Sequence, residues 1–277
     1  MEQRLILRGF ASGALGGLLA FVFARILAEP VTQRAIDYEN GRDAAEAASR
    51  GAAGLAMAGH DHELFSRGVQ RNAGLGVGMI LFGVAMGGLV AAAYALVARG
   101  MRPRPRPRVV ALLIAAAGFA GFFLLPFLKY PAEPPGIEHV QSIQTRGELY
   151  LAMVAICVVS VVAAAVAARR LAPRLGGRKA TLAALVGLAV WLAIVAAILP
   201  PIEPSQPLRD ASGAVVYPRL SSDVLFRFRL CAIGVQVVLW TTVGLAFGAL
   251  VERLAAHAPR AADRAARHER TADALTS

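Results

Sequence analysis

The chain has 277 residues, 57% hydrophobic and 17% charged, with a formal net charge of +11. The charges are bunched between long apolar runs, a pattern that excludes a soluble globular domain and a disordered polyelectrolyte. Because the cations adjoin the ends of those runs, the positive balance points to a membrane boundary and not to nucleic acid.

Six segments are nearly free of charge for 20 residues or more: 5–28, 75–98, 109–128, 149–168, 180–199 and 230–251. At 1.5 Å per residue each is long enough for a hydrocarbon core of about 30 Å. Unbroken apolar runs without strict alternation must satisfy their backbone groups internally, so helices are expected and not barrel strands. The expected fold is all-α, a polytopic membrane bundle of about six transmembrane helices. Residues 1–253 would form a single transmembrane domain, with a charged, disordered tail at 254–277. Arg4 and Arg8 ahead of segment 5–28 also suit a cleaved signal peptide. That segment lacks a small-x-small cleavage site, however, and is retained as the first helix.

Segment 5–28 leaves the membrane at LAEP, with Glu29 and Pro30, and a long connection, 29–74, follows. It contains GHDHELFSR, where His60, Asp61, His62 and Glu63 bring together imidazoles and carboxylates, the side chains that hold divalent cobalt, nickel or zinc. Two residues apart, the imidazoles share a side only on extended backbone, so the same residues equally suit a solvated polar turn. Segment 75–98 is followed by RGMRPRPRPR, five arginines and no acid, and segment 149–168 by RRLAPRLGGRK, five cations and no acid. Under the positive-inside rule these short loops are cytoplasmic, which places both termini inside. The connection 29–74 and those after segments 109–128 and 180–199 are then outer.

The second outer connection, YPAEPPGIEHVQSIQTRGEL, contains Glu133, Glu138 and His139, and the third contains Glu203. Glu138 and His139 would complete a metal site with HDHE if the two loops meet. A carboxylate precedes a proline at all three exits: Glu29–Pro30, Glu133–Pro134 and Glu203–Pro204. The prolines are expected to stop the helices. The carboxylates either form an outer ring or are helix-end punctuation. Lys129, Arg146, Arg227 and Arg229 would repel a metal ion unless paired, and Asp223 stands four residues before Arg227 to neutralise it. Tyr130 and Tyr150 read as interface anchors.

Within the spans, Gly9, Gly13 and Gly17, together with the pairs Gly74/Gly78, Gly83/Gly87 and Gly244/Gly248, repeat every four residues as contact seams. Cys157 and Cys231 read as buried small hydrophobes. Met79, Met86, Ser160, Gln236, Thr241 and Thr242 are the thin set of polar or soft groups along any path. No phosphate loop, HExxH or Gly-x-Ser-x-Gly elbow is found, so no enzymatic activity and no tightly bound cofactor are expected.

Four stretches, RILAEPVTQRAIDYE, LFSRGVQRNAGLGVGMILFGVAMGGL, LLPFLKYPAEPPG and SSDVLFRFRLCAIGVQVVLW, occur in an order that resembles the CbtA family of bacterial cobalt transporter subunits. The resemblance covers most of the chain. It implies a multi-pass protein of the bacterial inner (cytoplasmic) membrane, linked to cobalamin metabolism. It also implies Co2+ as the transported ion and a small single-span partner, CbtB-like, with a histidine motif. Members are often described with five spans, one fewer than counted here. The alternative is a structural or assembly protein that binds a small partner and moves nothing.

Overall fold

The structure, a computed structural model, describes residues 2–52, 67–99, 106–134, 142–202 and 205–276, with backbone alone at a few helix ends and beyond Leu254. Among the described residues six helical spans are long and apolar enough to cross a bilayer: Gln3–Arg50, Asn72–Arg99, Pro107–Lys129, Ile143–Leu175, Gly177–Ile198 and Ser222–Leu254. Each overlaps one of the six expected segments. Large apolar side chains lie exposed on these spans, among them Leu7, Leu81, Leu113, Leu151 and Ile198, each more than 60% accessible. Apolar exposure on this scale is stable only where lipid replaces water.

The first span departs from expectation. Helix α1 (Glu2–Phe23) passes through a π-turn (Ala24–Ala28) into α2 (Glu29–Ala52). Pro30 therefore does not stop the helix, and the first part of the expected connection 29–74 is helical. The reason is local. The Glu29 N–H reaches back five residues to the Ala24 carbonyl, and this widened turn makes room for the proline ring. Helix α3 (Arg67–Val69), a second π-turn (Gln70–Gly74) and α4 (Leu75–Arg99) form the second span. In the third, α5 (Pro107–Phe119) leads through a π-turn (Ala120–Leu124) into α6 (Leu125–Lys129). Here Leu125 N–H bonds to Ala120 O just before Pro126, so the device of the first span recurs with the proline at the same offset.

Helix α7 (Ile143–Leu175) and α8 (Gly177–Ile198) are joined by Gly176 alone, whose φ of 77° lies where a side chain would be strained. A two-stranded antiparallel hairpin follows, β1 (Leu208–Arg209) and β2 (Val215–Tyr217), with Leu208 opposite Tyr217 and a bulge beside it. The last helix, α9 (Ser222–Thr276), continues through the stretch expected to be disordered. That stretch is polar but rich in Ala and Arg, strong helix formers whatever their hydropathy.

The chain divides into two compact units. One comprises Met1–Phe21, Gly76–Ala116 and Val238–Ser277. Here α1 and α4 pack antiparallel through glycine: a Cβ on Gly9 would strike the Gly87 carbonyl, on Gly13 that of Gly83, and on Gly17 that of Met79. Gly244 and Gly248 of α9 lie against Leu112, Ala115, Arg108 and Ala111 of α5. These seams are contacts within the chain. Gly78 faces open space and Gly74 meets only Val69 of its own turn, so that expected seam is absent. Leu239, Val243 and Phe247 of α9 form the buried centre, with Tyr94 edge-on to Phe247 at 5.6 Å.

The other unit comprises Val22–Leu75 and Ala117–Val237. Tyr130, Met153, Cys157, Leu192 and Val195 form its core. Tyr130 is not an interface anchor. It is 3% exposed and donates its hydroxyl proton to Pro200 O at 2.8 Å, tying the end of α6 to the end of α8. The hairpin rests on α2: the Tyr38 ring lies tilted against Tyr217 with centroids 5.3 Å apart and its hydroxyl donates to Pro218 O at 2.8 Å, while Arg42 Nη1 donates to Gln206 O at 3.1 Å.

Candidate metal-handling site

Glu133 lies in the connection after α6, where Tyr130 leaves helical geometry at φ −124°. Its carboxylate faces two guanidinium groups. Arg229 of α9 donates from Nη2 to Glu133 Oε1 at 3.4 Å and from Nε to Ala132 O at 3.3 Å. Arg146, in the first turn of α7, places Nη1 3.7 Å from Glu133 Oε2. That first turn is fixed by Ser142, whose Oγ accepts the Thr145 N–H at 3.1 Å. One carboxylate is thus shared by two cations, and the trio carries a net positive charge. A metal ion approaching Glu133 would meet the repulsion of both guanidinium groups.

The remaining expected cations are also engaged. Asp223 takes Arg227 Nε at 2.9 and 3.0 Å, the i to i+4 pairing expected from the sequence. The Lys129 ammonium lies 5.6 Å over the Tyr130 ring. Glu29 sits at the end of the first π-turn and is 8% exposed. Beside it, Arg25 Nε donates to Asn72 Oδ1 at 2.9 Å, and Asn72 in turn donates to Gly68 O.

Of the expected outer carboxylates, Glu29 and Glu133 therefore belong to the same unit, the latter bound to arginine, while Glu203 lies outside the described residues. His60, Asp61, His62, Glu63, Glu138 and His139 also lie outside them. Among the described residues no three His, Cys, Asp or Glu side chains come together as a metal centre.

Several of the polar or soft groups within the spans are engaged in packing or bonding inside the protein. Ser160 Oγ donates to Ile156 O at 2.6 Å and accepts the Trp191 indole N–H at 3.0 Å. Met86 is buried in packing, Cys157 is wholly buried, and Cys231 is half-buried with its Sγ 3.5 Å from Leu27 O. Two features escaped the sequence reading: Glu133 as the partner of Arg146 and Arg229, and the Tyr38–Arg42 face that seats the hairpin. The signal for the second was the helix-forming composition of 31–52; for the first there was none, because the partners stand 13 and 96 residues away.

A family described as probable cobalt transporter subunit (CbtA) matches residues 2–252. Neither the curated proteins nor the solved structures give a match. With its six apolar spans, the chain is a multi-pass membrane protein and belongs to the CbtA family of probable cobalt transporter subunits.

Proposed function

We propose that this chain is the membrane subunit through which cobalt, or a closely similar divalent transition metal, enters the cell, in a system linked to cobalamin metabolism. The observation that carries the reading is the family match over residues 2–252. Six lipid-facing spans without a catalytic motif support it, and the chain is read as a non-enzyme with no tightly bound cofactor. Residues 1–253 act as one transmembrane domain of the bacterial inner membrane with both termini inside, the orientation favoured by the cationic loops 99–108 and 169–179.

In this reading His60, Asp61, His62 and Glu63, with Glu138 and His139, collect the metal weakly from outside, and Glu29, Glu133 and Glu203 edge its entrance. Weak capture suits transit, since an ion held tightly does not leave. Glu133 becomes available as an arginine lets go. A small single-span, histidine-bearing subunit, CbtB-like, delivers or completes the site.

Radiolabelled cobalt uptake in a cobalt-limited host tests the reading. Deletion of the chain should abolish saturable uptake, and His60→Ala with His62→Ala should raise the cobalt concentration needed for half-maximal uptake. Unchanged uptake after deletion would remove transport; an unchanged dose response in the double variant would remove only the loop site. The arginine pairing of Glu133 favours one rival reading, an assembly protein whose charges serve packing.

A further inference from the structure

Helices α7 and α8 differ from the other spans in how little of them is covered. Their apolar windows are 17% and 11% buried, against 28% to 33% for the other four. Between them runs an open groove of about 750 Å3. Its floor is mainly alanine and glycine, including Ala163, Ala164, Ala167, Ala183 and Gly187, with Trp191 on one wall. Surfaces that meet fluid lipid are normally built of large aliphatic side chains, and small residues are kept for a close, ordered neighbour.

The charge at one end of the groove identifies that neighbour. Gly176 alone separates the two helices, so the C-terminal turn of α7 and the first turn of α8 lie side by side. At helical spacing, Arg170 and Arg174 continue the line of Ala163, Ala167 and Leu171, and Lys179 stands four residues before Ala183. All three cations are exposed. From Leu149 to Ile202 the chain has no Asp or Glu, and the acid of the hairpin, Glu148, stands in the opening turns of α7, more than 20 residues before Arg170. An open apolar trough with a cluster of cations beyond one end is complementary to an amphiphile with an acyl body and an anionic head.

We propose that the α7–α8 groove is a binding site for an anionic phospholipid of the surrounding bilayer. The acyl chains lie on the alanine and glycine floor beside Trp191, and the phosphate meets Arg170, Arg174 and Lys179. An uncharged membrane helix would find the same floor but no use for the cations. A zwitterionic lipid would gain the floor and little from the charge.

Tryptophan fluorescence reads this site directly. The chain has two tryptophans; Trp191 is 51% exposed in the groove and Trp240 is 4% exposed. The full chain in phosphatidylcholine vesicles is titrated with brominated phosphatidylglycerol or with brominated phosphatidylcholine, and a Trp191→Phe variant supplies the Trp240 background. Half-maximal quenching of Trp191 should need about tenfold less brominated phosphatidylglycerol, since each cation near the surface favours an anionic headgroup severalfold. The preference should shrink in high salt for the unaltered chain, and vanish in an Arg170→Gln, Arg174→Gln, Lys179→Gln variant that still melts cooperatively. Soluble glycerol 3-phosphate should not compete, because it lacks the acyl body. Equal quenching by the two lipids, a preference indifferent to salt and to the triple substitution, effective competition by glycerol phosphate, or a groove that neither lipid quenches because a protein helix fills it would each overturn the proposal.

Discussion

Tyr130 shows how one residue decides a helix end. Its ring fills the core of its unit and its hydroxyl satisfies the Pro200 carbonyl, so Tyr130→Phe keeps the packing and removes the bond. The loss should lower stability by about 1 kcal/mol, seen as an earlier thermal transition in detergent. Glu133→Gln should lower it by a similar or smaller amount, about 0.5 to 1 kcal/mol, because the carboxylate and both arginines are partly open to solvent and their attraction is screened. If Glu133 serves these two pairs alone, a variant with Arg146→Gln and Arg229→Gln together should lose no more when Glu133 is also changed. Asp210 offers a pH handle: the Ser212 hydroxyl, followed by the Ala214 and other turn amides, holds its carboxyl below the usual carboxylate range. A depressed folded-state value means that the group supports the hairpin above its unfolded value and ceases to do so as pH falls through the folded one. Acidification in that window should therefore loosen 208–217, measured as faster amide exchange at Ala214, and Asp210→Asn should flatten that dependence.

At the scale of elements, the spans were legible because hydropathy over 20 residues reports the solvent they meet, and all six expected segments became helices. The glycine seams were legible in part. Spacing of four marks a face, but only packing decides whether a neighbour is there: Gly9, Gly13 and Gly17 have one, while Gly78 does not. Gly13→Val should accordingly prevent the α1–α4 approach and abolish folded protein by size-exclusion chromatography, with Gly78→Ala eluting unchanged. What the sequence hid follows from backbone geometry. Proline predicts a stop only in a regular α-helix, and the π-turns at Ala24–Ala28 and Ala120–Leu124 carry the chain past Pro30 and Pro126. The hairpin 208–217 is too short to show a pattern, and its place on α2 depends on Tyr38 and Arg42, far away in the chain.

For the whole molecule, membrane residence follows from the exposed apolar surface of every span, and family membership from a match that takes in nearly all of them. The candidate site was legible only as residue types. Which carboxylates pair with which cations depends on contacts such as Arg229 to Glu133, 96 residues apart, and no local pattern encodes these. We propose that this chain, with a partner subunit, moves a divalent metal across the bilayer. The most direct measurement is entry of radiolabelled cobalt into sealed proteoliposomes containing the full chain and its partner. Saturable accumulation above protein-free vesicles, reduced when His60 and His62 are both alanine, is the result predicted; accumulation no greater than in protein-free vesicles would contradict it.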